Sequence, residues 1–202
     1  MASSEEETSN HYGVLAVAYA EACSKKKRSI HSLLFKQLHS ASTTFNKDIP
    51  LSLVCKGNEA ESFLHRLTDE DLLLLLQVLQ QQEAQLLLLN LSYHALTEAA
   101  GEQLAAYSNV IKPLQVLLLQ GNNINPKGAQ QLCKTLSCCC TDLQTLDLSH
   151  NKLGREGGTA AAELLKQTNK LKTLNLKDCD IDIQAFVHIT TALQQHNKVR
   201  KP

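Results

Sequence analysis

The chain has 202 residues, enough for one sizeable core, and its 20 Lys and Arg are balanced by 20 Asp and Glu. A formal net charge of zero argues against a dedicated nucleic-acid binder, which shows a basic excess or stripe, and against electrostatic docking on a membrane. Tryptophan is absent and aromatics make up 4% of the chain, so the core must be filled by aliphatic side chains, and leucine dominates them. The seven cysteines form no closed disulfide set, the acidic first residues lack the cationic and apolar regions of a signal peptide, and no apolar run approaches the roughly 18 residues of a membrane span. An intracellular protein with reduced thiols is expected.

In chain order, residues 1–10 are polar and acidic and read as a disordered lead. Residues 11–47 hold two short helical patterns, 12–23 and 30–38, expected to cap the open end of the third region. Lys25, Lys26, Lys27 and Arg28 between them read as a solvated turn; a nuclear import signal or anionic contact is the other reading. The third region, 48–202, begins with Leu53, Cys55 and Asn58, which look like the end of a strand and its corner. Thr68 before Asp69, Glu70 and Asp71 is a helix start signal, and 72–79 beyond it is apolar on nearly all sides, as a buried helix would be.

From residue 86 the sequence repeats. Leu86, Leu89, Leu91, His94 and Leu96 align with Leu114, Leu117, Leu119, Asn122 and Ile124. They align again with Leu143, Leu146, Leu148, Asn151 and Leu153, and with Leu171, Leu174, Leu176, Cys179 and Ile181. The starts at 86, 114, 143 and 171 are spaced by 28, 29 and 28 residues. Within each copy the alternation of leucines is strand periodicity, with the leucines pointing into the core and the residues between them pointing out. At the corner after the strand, a buried Asn can satisfy main-chain groups that have lost their ladder partners. Asn122 and Asn151 fit that role, Cys179 is the usual alternative, and His94 departs from it, so a looser first corner is expected. The second half of each copy reads as helix: Asn125 before Pro126 is a helix start, and Ala129, Leu132, Cys133 and Leu136 fall on one face. Residues 157–165 and 183–193 repeat the idea.

The pattern LxxLxLxx(N/C)x(L/I) in four registered copies resembles the leucine-rich repeat family, and the 28- or 29-residue length resembles its ribonuclease-inhibitor type. That resemblance implies an α/β fold: a right-handed solenoid of about five units, parallel strands on the concave side and helices on the convex side. It also implies a non-catalytic protein-binding role, in the cytoplasm or in the nucleus, nucleolus included. Catalytic signatures are missing: there is no HExxH, GxSxG, P-loop or GxGxxG, and Ser149 and His150 are strand neighbours facing opposite ways. No enzyme activity, cofactor or metal is expected. Cys138, Cys139 and Cys140 lack paired zinc-site spacing and read as small packing residues between a helix and the next strand.

The outward residues of the strands give the expected interface by register. The first row is Leu88, Val116, Thr145 and Thr173; the second is Asn90, Leu118, Asp147 and Asn175. The third is Ser92, Gln120, Ser149 and Lys177; the fourth is Tyr93, Gly121, His150 and Asp178. This face is apolar at its first strands and polar at its last, with neither sign of charge dominant. Exposed Leu88, Val116 and Leu118 point to a protein partner rather than to a bare sheet, with Tyr93, Asp147 and His150 among the expected contacts. The ribonuclease-inhibitor resemblance would call for an acidic face, which is missing. A protein-binding adaptor or scaffold is therefore expected, with a structural component of a large assembly and a Ran-type GTPase activator as alternatives. Finally, a further copy would be due at Val199, and Pro202 stands where its buried strand leucine belongs. The array is thus expected to end at an uncapped edge open to self-association.

Overall fold

The computed structural model describes residues 13–58 and 65–199, with side chains described as far as Gln195; the acidic lead lies outside the described residues. Two helices come first, α1 (Val14–Lys25) and α2 (Ser32–Ser42). Then come β1 (Leu51–Val54), α3 (Asp69–Gln81) and β2 (Leu86–Asn90). Next are α4 (Ala99–Ala106), the short α5 (Ser108–Ile111), β3 (Val116–Leu118) and α6 (Pro126–Cys139). The chain continues with β4 (Thr145–Asp147), α7 (Gly154–Gln167), β5 (Thr173–Asn175) and α8 (Ile183–Val199).

The strands form one five-stranded parallel sheet in chain order. Its register follows the repeat: Leu88 pairs Val116, Val116 pairs Thr145 and Thr145 pairs Thr173, with Asn90, Leu118, Asp147 and Asn175 in the next row. Strand β1 joins with Leu53 against Leu89, after an irregularity between Leu51 and Ser52. The repeating leucines Leu86, Leu89, Leu91, Leu114, Leu117, Leu119, Leu143, Leu146 and Leu148 are all buried, so the alternation sorts one face into the core. Helices α4, α6, α7 and α8 stack each on the next behind the sheet, and α3 lies between α1 and α4.

Local chemistry explains where the helices begin. Asn125 accepts the Gly128 N–H at 2.9 Å and Pro126 occupies the first turn, where its missing N–H costs nothing. Thr68 and Asp71 form a capping box, with Asp71 accepting the Thr68 N–H at 2.8 Å. Leu72, Leu74, Leu75, Leu76, Val78 and Leu79 of α3 are buried, because α1 covers the side that the solenoid leaves open. Arg28, the last residue of the basic run, is spent on this junction: its guanidinium pairs with Asp71 at 3.1 Å and with Glu70. Lys25, Lys26 and Lys27 remain exposed.

Two expectations are corrected. Helix α8 runs through Val199, whereas α7 stops at Gln167, so the chain is still helical where a further copy was expected to start. The first corner is also not loose. His94 is 1% exposed; its Nδ1 accepts the Leu67 N–H at 3.1 Å and its Nε2 lies 2.9 Å from the Cys55 carbonyl. This is the asparagine arrangement performed by an imidazole: Asn122 accepts the Leu96 N–H at 3.1 Å and donates to the Leu91 carbonyl at 2.8 Å. Asn151 does the same with the Ile124 N–H at 3.0 Å and the Leu119 carbonyl at 2.9 Å. Cys179 donates to the Leu148 carbonyl at 3.2 Å. Imidazole fits because both ring nitrogens of its neutral form, one donor and one acceptor, are needed.

Burial pushes the His94 imidazole down from 6.5 to about 4, against the hydrogen bond to the Cys55 carbonyl, which raises it. His31 and Arg66 nearby push the same way as burial, and Asp71 opposes them. A depressed folded-state value means that the unfolded chain takes up the proton first. The stabilisation is therefore whole above pH 6.5 and is lost as the pH falls toward 4. A loss on the order of 3 kcal/mol across that window is expected in urea unfolding. His94→Gln, which keeps one donor and one acceptor, is expected to flatten the slope; an unchanged slope in the variant would assign it elsewhere.

Candidate functional site

The concave face is built by the outward positions of five strands. Its first three strands present Ser52 and Val54, then Leu88, then Val116 and Leu118. Val54 is 39% exposed, and Leu88, Val116 and Leu118 are half-buried, so an apolar band crosses the first three strands and ends at Asp147, the β4 partner of Leu118. Ser52 and Val54 were missing from the expected interface. The alignment of Leu53 with Leu89 held the signal, since the flanking residues of β1 must then share the rows of Leu88 and Asn90.

The polar positions behave differently from the expectation. Asn90 is 5% exposed, and its Oδ1 accepts the Ser92 N–H at 3.1 Å. Asp147 accepts from the Ser149 N–H at 2.9 Å and the Ser149 hydroxyl at 2.6 Å through Oδ1, and from Asn175 Nδ2 at 2.9 Å through Oδ2. Asn175 Oδ1 accepts the Lys177 N–H at 3.2 Å. Each of these side chains holds the N–H two residues ahead, the usual Asx geometry of a chain leaving a strand. Ser92 and Ser149 are buried, which removes both from the face. Of the third row only Gln120, half-buried, and Lys177, exposed, reach solvent. Thr145 is half-buried and Thr173 exposed.

The fourth row shares a backbone state. Tyr93, Gly121, His150 and Asp178 all have positive φ, at 64°, 66°, 55° and 52°. Here the chain reverses out of the sheet, and only Gly121 adopts that state without cost to a Cβ. Gly121 has a second reason: a Cβ built on it would lie 2.5 Å from Cδ1 of Tyr93, so the ring of Tyr93 packs against this glycine. His150 Nδ1 lies 3.3 Å from Asp178 Oδ2, a neighbour pair along the same row. The structure thus brings Tyr93 to the edge of the apolar band, and places His150 with Asp178 at the polar end.

A polar cavity of about 490 Å³ between the N-terminal helices and α3 is lined by Arg28, His31, His65, Arg66, Thr68 and Asp71 among others, and Arg28 within it is neutralised by Asp71 and Glu70. Among the described residues no three His, Cys, Asp or Glu side chains come together as a metal site. No helix among them is long and apolar enough to cross a membrane. Cys140 is buried and donates to the Ile111 carbonyl at 3.2 Å, Cys139 is half-buried and Cys138 exposed. Burial pushes the thiols of Cys55, Cys133 and Cys140 up to about 12, so they are poor nucleophiles.

A family model described as "Leucine Rich repeat" matches residues 111–133 and 139–160, which hold the corners of Asn122 and Asn151. With the parallel sheet and stacked helices, that decides the architecture. The fold is a leucine-rich-repeat solenoid. The mouse (Mus musculus) protein "Ribonuclease inhibitor" is 31% identical over 162 residues, covering 66% of this chain and 36% of its own length. The mouse "Tonsoku-like protein" is 33% identical over 107 residues, covering 52% of this chain and 8% of its own. The solenoid described here therefore spans about a third or less of these relatives. A solved structure titled "Leiomodin-1 Actin-Binding Site 2 (ABS2)" superposes with a TM-score of 0.55 at 16% identity, over 85% of this chain and 93% of that one, a likeness of fold.

The bonding of Asp147 makes it structural. Asp147→Ala strands the Ser149 N–H and the Asn175 amide and is expected to lower stability by about 1–3 kcal/mol in denaturant unfolding. A Thr145→Ala change in the same strand is expected to stay within about 0.5 kcal/mol. Equal effects would mean that the Asp147 contacts do not form in solution.

Proposed function

We propose that this solenoid is a non-catalytic protein-binding module whose partner sits on the concave face, gripped by the apolar band of Val54, Leu88, Val116 and Leu118 with the Tyr93 ring at its edge. The observation that carries this reading is the asymmetry of the face. The polar side chains Asn90, Asp147 and Asn175 each hold a hydrogen bond within the chain, while the aliphatic ones stand half-exposed beside one another. A sheet that served only as a solvated surface would place polar side chains there. The mouse relative is by its name an inhibitor of a ribonuclease, a protein partner, which supports the general role. Here the band lacks charge, so the partner it suits presents aliphatic or aromatic side chains rather than a basic surface. An adaptor or scaffold in the cytoplasm or nucleus is the setting we infer, one in which seven free thiols stay reduced.

Nothing favours the GTPase-activator alternative: Arg28 and Arg155 are held in ion pairs with Asp71 and Asp182. Self-association through the C-terminal edge is a separate reading. It is favoured by the outer strand β5, where Leu174 and Leu176 are only partly buried, and by the exposed side chains of α8.

The concave-face reading is tested by affinity capture with mass spectrometry, comparing the natural chain with Leu118→Asp and with Lys134→Glu on the convex α6. Partners retained by Lys134→Glu and weakened at least tenfold by Leu118→Asp are expected, with unfolding free energy changed by less than about 1 kcal/mol because Leu118 is half-exposed. A partner captured equally by all three, or no partner above background, would overturn the concave face as the interface.

A further inference from the structure

The basic run between α1 and α2 is divided in two by its bonding. Arg28 turns inward to Asp71 and Glu70, while Lys25, Lys26 and Lys27 face solvent. The Lys27 N–H donates to the Ser24 carbonyl at 3.0 Å and the Arg28 N–H to the Cys23 carbonyl at 2.9 Å, which closes the end of α1 with Lys27 at a φ of 54°. The His31 N–H donates to the Tyr19 hydroxyl at 3.4 Å, where α2 begins. Ser29 and Ile30 lie between these two anchors, outside any helix, and both are exposed.

An exposed hydroxyl on a non-helical segment, directly behind three exposed lysines, has the chemistry that a basic-directed serine kinase selects. Such an enzyme takes its substrate extended and pairs its own acids with cations on the N-terminal side of the acceptor. Ser24 and Ser32 flank the same run but sit within α1 and α2, where the backbone is held helical.

Ser29 also lines the polar cavity of about 490 Å³ between the N-terminal helices and α3, together with Arg28, His31, His65, Arg66 and Thr68. The acid in this wall is occupied. Asp71 Oδ2 accepts the Thr68 N–H and the Thr68 hydroxyl, each at 2.8 Å, and Oδ1 accepts from Arg28 at 3.1 Å. Helix α2 opens beside it with no acid in its first turn and no side-chain cap. The linker and this wall carry five cations, Lys25 through Arg28 and Arg66, against the three acids that open α3, Asp69, Glu70 and Asp71. A phosphate ester, with about two negative charges, balances that excess rather than meeting repulsion.

We propose that Ser29 is a phosphorylation site for a basic-directed protein kinase, and that its phosphate is seated in this cavity against Arg66 and the start of α2. In the step, Ser29 Oγ attacks the γ-phosphorus of magnesium-bound ATP held by the kinase. The new O–P bond replaces the bond to the β-phosphate oxygen, ADP leaves, and the hydroxyl proton passes to the base of the kinase. The ester then ties the linker to α2 and α3, so the modification tightens the helical cap on the solenoid.

The whole chain is treated with the catalytic subunit of cyclic-AMP-dependent protein kinase, magnesium and ATP, and the product is mapped by tandem mass spectrometry. Phosphate is expected at Ser29 and absent from Ser29→Ala, and the double variant Lys26→Glu with Lys27→Glu is expected to react about tenfold more slowly or worse. In phosphorus NMR the second ionisation of the ester is expected below its usual value of about 6, because nearby cations favour the dianion. The thermal midpoint is expected to rise by about 2–4 °C on phosphorylation. Arg66→Gln is expected to diminish both changes while leaving the labelling of Ser29 intact. A chain that takes up no phosphate at Ser29, or takes it up equally in the lysine variant, would sink the site. An ester that titrates like phosphoserine in a free peptide of residues 25–33, with the midpoint unmoved, would remove the cavity seat and keep the site.

Discussion

From β2 onward, each repeat of this solenoid depends on one buried polar contact at the corner where the strand ends. There the chain must leave the sheet with N–H and C=O groups unpaired and out of reach of water, a situation that costs about 1–3 kcal/mol for each group left unsatisfied. A single side chain with one donor and one acceptor, placed between two adjacent units, satisfies both sides at once. Asn122 and Asn151 do so with carboxamides and His94 with a neutral imidazole, while Cys179 supplies a donor only. The leucines fill the space between sheet and helices, but they would fill it in many registers. The corner contact fixes the register and the spacing together.

The same corner dictates what the concave face has left to offer. To bring the corner side chain inward, the preceding residue must take a positive φ, which explains the shared backbone state of Tyr93, Gly121, His150 and Asp178. To lead the chain into that state, the residue at the strand end caps the N–H two positions on, and this occupies Asn90, Asp147 and Asn175. Hydrogen-bonding capacity that looks available on the outward side of the strands is thus consumed by the turn. Val54 and Leu118 are the members of that row with no such bond to make, and there the face is apolar instead.

This accounts for what the sequence shows and what it hides. Strand register, helix positions and the buried leucines follow from periodicity alone, because a two-residue and a 3.6-residue period leave little freedom once four copies align. Ser92 and Ser149 read as outward by parity yet are buried, because the chain turns within one residue of the strand end and parity stops applying. His94 looks like a break in the pattern because the rule is usually written in residue names. Written as a requirement for one donor and one acceptor at a fixed distance, the rule admits it.

Since each unit touches only its neighbours, the interfaces of the stack differ in kind and can fail separately. Those held by Asn122 and Asn151 rest on groups that do not titrate. The interface between β1 and β2 rests on His94, and protonation would set an N–H against the Leu67 N–H and bury a cation. That interface also carries the start of the apolar band, since Val54 lies on one side of it and the row of Leu88 on the other. A partner that grips both residues would hold closed the junction that acid opens. By linkage the effect runs both ways: such a partner would lower the pH at which the junction gives way, and acid would weaken the partner. A partner confined to Val116 and Leu118 would gain nothing from that coupling, because its strand is fastened on either side by carboxamides that hold at any pH the chain survives.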